Sequence, residues 1–538
     1  MKLLLLALAL VAGADYLESA VRLSGASCAE DLSQSEIERF ETLAEHPLDL
    51  NHSSRRELLA SGLFSPYQTA ALLDYISNYG EICSSAELGA VDGIGPDLAR
   101  DLAPFVTLAP AGPVGALPRK RPRADAMARA SDKSDTWSTA SKFSAGYSTF
   151  SAGFSSKNRE YVSGYAGWQG RHIQLILGDF NARYGQGLIS WTGFTMNTLY
   201  TVGAFARSPG GVSASNTLSE GSAKRGLAVD IARSSADLSL YATIGGEQLA
   251  HFQYLTLRGS YGLTALHTPD SWSVSTDWRF TLRKITLFGE AAVLPKTPDQ
   301  VGGDGDDGGD GDDGGVMADP DRPSLSLRAG AFYNHSYGRR AAVLLRGSPE
   351  EYAAAIGAEI PWASLTCEAS YDRDKEKRQL RMVAVCNPTF SAGTFTLKPT
   401  IRVHSRYRPE ETYRWRNDLR AELDAQTGPW ILHARYNALR CEQWAWLSYV
   451  ETGYKREKAA LFLRGTLFKV DKWNDRIYSY ERDSPGNFNV PAYYGRGWAL
   501  SLYARWRWLS LRAATTRYPW TPDKETKYEL KMQINLKL

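Results

Sequence analysis

Apolar and polar side chains alternate along most of this chain. From about residue 137 to the C-terminus, apolar residues recur at every second position in long runs that end at Gly, Asn, Asp or Pro. The final run shows the pattern without interruption, with apolar residues at Tyr528, Leu530, Met532, Ile534 and Leu536. A two-residue period predicts β-strands with one apolar face and one polar face.

The length of these runs separates two kinds of β protein. Strands of soluble sandwiches usually have about 5 to 6 residues, whereas a tilted strand that crosses a bilayer needs about 9 to 11. Most runs here have the second length, and Trp residues collect near their ends, as in the aromatic girdles of membrane barrels. We therefore expect residues 136–538 to form a large transmembrane antiparallel β-barrel, with about 22 strands and a range of about 18 to 24.

The polar face of the expected strands is rich in arginine rather than only in Ser and Thr. In a membrane barrel this face lines the lumen, so the arginines would point inward, with neighbouring carboxylates such as Asp418 and Glu422 available as partners. The arginines expected in the lumen are Arg402, Arg406, Arg414, Arg416 and Arg420.

Two connections between the expected strands are long. Residues 185–223 are rich in Gly and Ser and could fold inward as a plug or constriction. Residues 295–323 contain an Asp/Gly run that cannot bury apolar surface, so we expect a solvated loop, placed outside the cell by counting strands. Weak calcium binding is the alternative to an unstructured loop. The carboxylates concerned are Asp304, Asp306, Asp310 and Asp312.

The N-terminal part of the chain divides into three segments. Residues 1–14 combine a lysine, a short apolar run and a small-residue site, which is typical of a secretory signal. Residues 29–108 carry apolar residues at three- and four-residue spacing and predict a compact all-helical domain in the periplasm. Residues 109–135 are rich in Pro, Ala and Arg without periodicity and predict a linker.

The net charge of +3 hides segments of opposite sign. Residues 29–108 hold 14 acidic and 4 basic residues, a net charge of −10, whereas the linker after them is basic. Its basic patch could attract nucleic acid or anionic lipid headgroups, or could simply be solvated. This patch consists of Arg119, Lys120, Arg121 and Arg123.

One hairpin of the helical domain suggests chemistry. The glycines of Gly93-Ile94-Gly95 allow a tight turn that exposes amides at the start of the next helix, where a phosphate could bind, and Arg100 is the basic residue nearby. DNA-binding hairpins surround these amides with Lys or Arg, whereas here the neighbours are mainly acidic. Docking to a protein is therefore favoured over contact with DNA.

The remaining candidate chemistry is limited. Cys367 and Cys386 flank an expected hairpin whose centre, between Glu376 and Lys377, would place them opposite each other, so a disulfide and two reduced thiols are both consistent. The histidines have no metal-ligand spacing, and no nucleophile or phosphate-loop motif occurs. We expect no enzyme activity and no cofactor, with a barrel hydrolase assembled across strands as an alternative.

Several short segments resemble known proteins. Those of the helical domain are similar to the tandem helix-hairpin-helix modules of the competence protein ComEA, a resemblance that implies DNA handling. They are Leu48-Asp49-Leu50-Asn51, Tyr75-Ile76-Ser77-Asn78-Tyr79-Gly80 and Val91-Asp92-Gly93-Ile94-Gly95. Further segments resemble the barrel of helix-hairpin-helix outer-membrane proteins from Bacteroidetes-type bacteria. They are Leu177-Gly178-Asp179-Phe180, Arg183-Tyr184-Gly185-Gln186-Gly187-Leu188, Trp191-Thr192-Gly193-Phe194 and Arg225-Gly226.

These expectations combine into one functional hypothesis. The chain would be a non-enzymatic outer-membrane barrel, a conduit or an envelope-assembly component. Its periplasmic helical domain would dock a periplasmic or outer-membrane protein, and its barrel would contact outer-membrane lipid. The alternatives are a DNA-uptake barrel that grips phosphate through the hairpin, and a barrel hydrolase.

Overall fold

A computed structural model describes most of the chain between residues 16 and 537. Outside the described residues lie 25–31, 33, 46, 65, 109–122, 135, 148, 171, 193–201, 208, 220, 222, 234, 257–258, 296–323, 337–338, 361, 374–377, 457–458, 488 and 522–523, as well as 1–15 and 538. The expected signal segment, Arg119, Lys120, Arg121 and the four Asp residues of the Asp/Gly run therefore fall outside the described residues.

The C-terminal part forms a closed antiparallel barrel of 24 strands. Strands β1 to β24 are, in chain order, Arg123–Lys133, Thr136–Tyr147, Phe150–Lys157, Tyr161–Gln169, Ile173–Arg183, Lys224–Ala232, Ala236–Thr243, Gln248–Thr256, Gly259–Thr268, Ser271–Leu282, Ile285–Leu294, Ser324–Ser336, Arg339–Gly347, Glu351–Ile360, Ala363–Asp372, Gln379–Pro388, Phe395–Tyr407, Trp415–Thr427, Trp430–Arg440, Trp444–Arg456, Ala459–Val470, Gly495–Trp506, Leu509–Arg517 and Lys527–Lys537. The ring closes between β24 and β1, where Ile534 pairs with Ala128.

The barrel is thus confirmed, and its strand count is at the upper limit of the expected range. The expected boundary at residue 136 is wrong, because residues 123–133, which we assigned to the linker, form β1 and pair with β2 and β24. Along β1 most residues that share a face with Leu536 and Met532 are alanines, among them Ala126 and Ala130. Alanine gives little hydrophobic contrast, so this strand is hard to detect in the sequence.

The outer face of the wall is apolar and the inner face is polar. In β21, the exposed side chains of Leu461, Leu463 and Leu467 alternate with the buried side chains of Arg464 and Thr466. Large apolar residues are exposed in this way on most strands of the ring, which is the inverse of a soluble fold. The predicted two-residue period therefore describes a wall with apolar side chains outside and a packed interior.

The two ends of the barrel differ in their connections. At the end where β1 begins and β24 ends, called here the short-turn end, turns such as those after Leu282 and Trp506 are short. The opposite end, called the long-loop end, carries the connections 184–223 and 471–494, as far as they are described, and the end of β11 at Leu294. None of the described helices is long and apolar enough to span a membrane.

The N-terminal residues form a small helical unit. Its helices α1 to α6 are Tyr16–Ser24, Gln34–Glu45, Arg55–Ala60, Pro66–Tyr79, Ser85–Leu88 and Gly95–Leu102. Their apolar faces share one core, which includes the buried Phe40, Leu58, Leu72 and Phe105. Ser54 caps α3 in a capping box with Glu57.

The hairpin before α6 has the predicted geometry. Gly93 and Gly95 adopt φ angles of 78° and 74°, which only glycine accommodates without strain. The Gln68 side chain donates a hydrogen bond of 2.8 Å to the Gly93 carbonyl and fixes the turn to α4. Ile94 precedes α6 without a side-chain cap.

The cysteine register differs from the expected one. Cys367 pairs with Ala384 and Cys386 pairs with Leu365, so the two cysteines are diagonal rather than opposed, and both are free. The expected opposition of the two cysteines is therefore wrong, and the structure has the second alternative, two free thiols. The partner of each cysteine thus differs by two positions from the expected one, which keeps the same face of the two-residue pleat.

Candidate functional site

The helical unit lies against the inner face of the barrel. Glu38 of α2 pairs with Lys142 of β2 at 3.0 Å. The residue after Lys142 is Phe143, whose side chain points outward, so Lys142 lies on the inner face. The same carboxylate accepts hydrogen bonds from the Leu218 amide at 3.3 Å and the Thr217 hydroxyl at 3.4 Å. Glu38 thus joins the helical unit to the wall and to the connection 184–223.

A second ion pair holds the helical unit to another part of the wall. Arg55, at the start of α3, contacts the Asp237 carboxylate of β7 at 2.5 Å and donates to the Arg233 carbonyl at 2.7 Å. Asp237 is buried and faces inward, beside the outward Leu238. The charged helices of this domain therefore meet charges of the inner wall.

The connection 184–223 also turns inward, as far as the structure describes it. Val202 and Phe205 pack against Phe288 and Phe332 of the inner wall in one buried cluster. At its start, the Glu290 carboxylate accepts hydrogen bonds from the Gln186 amide at 2.7 Å and the Leu188 amide at 3.0 Å. Arg328 donates to the Phe205 carbonyl at 3.1 Å.

The connection 471–494 fills the opposite side of the lumen. We call it the third piece, after the helical unit and the connection 184–223. The connection 471–494 is held by inward arginines and a lysine of β19, β21, β23 and β24. Arg464 donates to the Ser479 hydroxyl at 2.6 Å, and Lys531 pairs with Asp483 at 2.5 Å. Arg512 pairs with Glu481, and Arg435 donates to the Tyr478 carbonyl at 3.1 Å.

Asp475 anchors the base of this third piece. Its carboxylate is fully buried and accepts hydrogen bonds from three consecutive amides at 2.8, 2.9 and 2.9 Å. The amides belong to Cys441, Glu442 and Gln443, in the turn between β19 and β20. One side chain therefore fixes the connection to the wall.

Between these pieces a chamber of about 910 Å³ remains. Gly93, Ile94, Gly95 and Arg100 line it on the side of the helical unit. The wall on the other side includes turn residues of the short-turn end, and it carries basic residues as well as carboxylates such as Glu359 and Glu422. Its basic residues include Arg279, Arg283, Lys284, Arg339, Arg340 and Lys398.

The predicted lumen arginines occupy different environments. Arg402 and Arg420 are buried on the inner face and lie directly opposite each other on β17 and β18. Arg406 and Arg416 are also opposite each other, and Arg416 donates to the Arg476 carbonyl at 2.9 Å in the third piece. Arg414 is exposed in the connection between these strands.

The structure adds little support for catalysis or metal binding. Among the described residues, no group of three or more His, Cys, Asp and Glu side chains could hold a metal ion. His433 pairs with Asp424 through one ring nitrogen, and Arg482 lies 3.3 Å from the other. A general base needs that second nitrogen free for a nucleophile or water, so this histidine belongs to an ion network.

The residues that fill the lumen are not recognisable as such in the sequence. Arg435, Arg464, Arg512 and Lys531 are buried inward partners of the third piece, but in the sequence they are single polar residues of alternating strands. One signal was present: the alternation stops between Val470 and Gly495, over more residues than a turn needs. We assigned no role to that interval.

Comparisons with known proteins identify no family. No protein-family model matches the sequence, and no curated protein matches it. The P pilus usher (PapC) translocation pore aligns with 78% of this chain and 99% of its own, at 10% identity and a TM-score of 0.38. Pseudomonas aeruginosa OccK5 (OpdH) aligns with 78% and 97%, at 8% identity and a TM-score of 0.31. A BenF-like porin from Pseudomonas fluorescens Pf-5 aligns with 78% and 99%, at 10% identity and a TM-score of 0.30. The description of the barrel rests on the strand register of the chain itself.

Proposed function

We propose that this chain is an outer-membrane conduit that its own N-terminal helical unit holds closed. The helical unit and the two inward connections together form a plug, and transport requires the helical unit to move. The observation that carries this proposal is the pair of charged contacts, Glu38 with Lys142 and Arg55 with Asp237, which join the unit to opposite flanks of connection 184–223.

The width of the barrel supports a plug. Barrels of about 16 to 18 strands leave an aqueous channel, and those of about 22 enclose a plugged lumen. A ring of 24 strands is too wide for wall side chains alone to fill. A membrane location is supported by the apolar outer face, because in water such a surface would drive aggregation.

The acidity of the helical domain has a different explanation under this proposal. Residues 29–108 carry a net charge of −10, which in the sequence alone indicates a docking surface for another protein. Glu36 and Glu38 instead lie near inward basic residues such as Arg183 and Lys142. We propose that the domain is matched in charge to the lumen, and that an external partner acts by displacing it toward the short-turn end.

Single-channel conductance tests the plug. Purified protein in a planar bilayer should open rarely. Replacing Asp237 by Arg sets two like charges together at Arg55, and this variant should open more often. The double charge reversal R55D/D237R restores the pair and should return the open fraction toward the wild-type value.

The control is Asp270→Arg, an equal charge change in an exposed turn of the long-loop end. It should conduct like the wild type. The proposal fails if the wild type already conducts as an unobstructed barrel, or if Asp237→Arg leaves the open fraction unchanged in a folded barrel.

A second candidate function is DNA uptake, favoured by the lining of the chamber. The hairpin Gly93-Ile94-Gly95 has mainly acidic neighbours in the sequence, but in the chamber it lines a space that also holds Arg283 and Lys284. The hairpin amides would contact DNA phosphates, and these wall residues could neutralise the charge of those phosphates.

Gel shift of short duplex DNA by the full-length protein at low salt tests this candidate. Changing Arg283 and Lys284 to Gln should weaken binding several-fold and reduce its salt dependence. Replacing Gly95 by Val, which is strained at its positive φ, should also weaken it. Absence of any shift for the wild type excludes DNA contact through this chamber.

A further inference from the structure

Two arginines from different parts of the chain meet at one edge of the chamber. Arg39 lies on α2 of the helical unit, and Arg183 is the last residue of β5 in the wall. Their Nη1 atoms both lie within 4.0 Å of the point where a Cβ on Gly62 would stand. Two guanidinium groups are therefore neighbours across the boundary between plug and wall.

A third arginine joins them from the connection 184–223. The guanidinium carbons of Arg183 and Arg207 lie 5.8 and 5.1 Å from the ring centre of Trp191. Arg207 donates to the Gln186 carbonyl at 3.1 Å. The plug helix, the wall and the inward connection each contribute one arginine to this cluster, which we call the arginine triad: Arg39, Arg183 and Arg207.

The hydrogen bonds of the triad go to neutral carbonyl oxygens rather than to carboxylates. Arg39 donates to the Ser61 carbonyl at 3.2 Å, and Arg183 donates to the Thr192 carbonyl at 3.1 Å. The Nε atom of Arg39 is buried without a hydrogen-bond partner. The guanidinium groups therefore keep donor capacity for a further acceptor.

Glu36 is the carboxylate that acts on all three guanidinium groups. Glu290 and Glu351 also act on Arg207. Arg39 and Arg183, by contrast, share Glu36, and two guanidinium groups with one carboxylate leave an excess of positive charge in a buried place, which is costly. Burial, together with the nearby Arg183, lowers the pKa of Arg39 to about 9. Burial is also the main reason that the pKa of Arg207 falls to about 10.

Open space adjoins the triad. Its three arginines, with Glu36 and Trp191, line the chamber that the hairpin also lines. A ligand in the chamber could therefore reach the guanidinium groups without displacing an apolar side chain.

We propose that the triad binds a tetrahedral oxyanion, a phosphate or sulfate group, between the guanidinium groups of Arg39 and Arg183. Planar guanidinium groups with paired N–H donors match such an anion in geometry and in charge. The anion neutralises the excess positive charge and uses the free donors. Trp191 and Arg207 close the site on the side of the inward connection.

The role of this anion site rests on the proposed function, in which the helical unit closes the barrel. An anion bound by Arg39 and Arg183 is a further link between the helical unit and the wall. The plug is then held more firmly when the anion is bound. By linkage, displacement of the plug releases the anion.

Isothermal titration of the purified full-length protein with inorganic phosphate tests the site. The wild type should bind phosphate saturably, in a background of chloride at matched ionic strength. Arg39→Gln and Arg183→Gln should each weaken binding at least about tenfold, since each removes a charged fork. Arg39→Lys keeps the charge without the fork and should give an intermediate value.

The matched control is Arg414→Gln, which removes an exposed arginine outside the contacts between plug and wall and should bind phosphate like the wild type. Glycerol phosphate forms the second arm: equal binding indicates a site open to phosphate monoesters, and weaker binding indicates a site for the free ion. Both results support an oxyanion site. If Arg183→Gln fails to fold, Arg39→Gln still tests the proposal, because Arg39 lies outside the wall.

Two results would overturn the proposal: wild-type protein that binds phosphate no better than chloride, or Arg39→Gln protein that binds phosphate as well as the wild type. These results are separable from failure of the plug. If the protein conducts freely yet binds phosphate through Arg39, the phosphate site is supported and the plug is refuted. If the barrel is closed but binds no phosphate, the plug is supported and the phosphate site is refuted.

Discussion

Asp179 and Arg225 form an ion pair at the point where the hydrogen-bond ladder between β4 and β5 stops. Arg225 donates to the Asp179 carboxylate at 2.6 and 2.9 Å. The ladder pairs residues 165–169 with residues 174–178 and goes no further. Beyond it, Asp179 accepts from the Gly164 amide at 2.9 Å, and Arg225 donates to the Val162 carbonyl at 2.7 Å. Side chains thus satisfy backbone groups that the missing ladder would leave open.

We call the place where β4 and β5 separate the seam. Its backbone should become more mobile when the ion pair between Asp179 and Arg225 is removed. Arg225→Gln and Asp179→Asn should each speed amide exchange of the peptide 161–165 by about tenfold to a hundredfold, because a charged hydrogen bond contributes about 1.5 to 3 kcal/mol. Hydrogen exchange measured by mass spectrometry in nanodiscs checks this. The peptide covering 261–265, within a complete ladder, should be unchanged. Equal exchange of 161–165 in wild type and variants contradicts the role given to the pair.

Glu290 should control the position of the connection 184–223. Glu290→Ala leaves the amides of Gln186 and Leu188 without their acceptor and should destabilise this connection by about 2 kcal/mol, whereas Glu290→Gln keeps an acceptor oxygen and should cost less. Limited proteolysis should show faster cleavage within 186–219 in the alanine variant. If both variants resist protease like the wild type, another contact holds this connection.

Asp475 should matter far more than Asp471, although both are carboxylates at the base of the connection 471–494. Asp475→Ala removes the acceptor of three amides and should lower the free energy of unfolding by about 3 kcal/mol. Asp471 pairs with a half-exposed Arg496, so Asp471→Ala should cost about 0 to 1 kcal/mol. Urea unfolding followed by Trp fluorescence measures both. Similar losses for the two would contradict the anchoring role.

The register of β15 and β16 can be tested through cysteine. Cys367 lies opposite Ala384, and opposed strand residues are close enough for a disulfide. Ala384→Cys should therefore form a bond with Cys367 under oxidising conditions, detectable by peptide mass spectrometry, while Cys367 and Cys386 of the wild type stay reduced. A wild-type bond between Cys367 and Cys386 would show the register to be two residues off.

The sequence predicts the wall well and the filling of the lumen poorly. Alternation such as that of Leu461 with Arg464 is local, so each strand can be recognised from its own residues. The contacts of the plug are not local: Arg55 and Asp237 are far apart in sequence, and nothing in either segment identifies the other. The acidity of α2 was visible, but its basic counterpart lies in the wall, and a single sequence does not pair them.

The segments that carry the resemblance gain a physical meaning from the fold. Gly178 has a φ of 102°, and a Cβ there would collide with the Gly164 carbonyl where β4 and β5 separate. Gly185 packs against Glu290 with no space for a side chain. These glycines and the pair Asp179 and Arg225 shape the seam and the inward turn. Their spacing was recognisable in the sequence, whereas their purpose needed the pairing of the strands.

The position of the helical unit inside the barrel is what closes the proposed conduit. Cross-linking tests it directly in protein assembled in the membrane, with other cysteines replaced. The pair Glu38→Cys and Lys142→Cys should react with a short bifunctional thiol reagent, because the native side chains touch at 3.0 Å. The pair Glu38→Cys and Phe143→Cys is the control, since Phe143 is the next residue and points outward. We expect a cross-link in the first pair and none in the control. Absence of both cross-links in a folded barrel would place the helical unit elsewhere and contradict the plug.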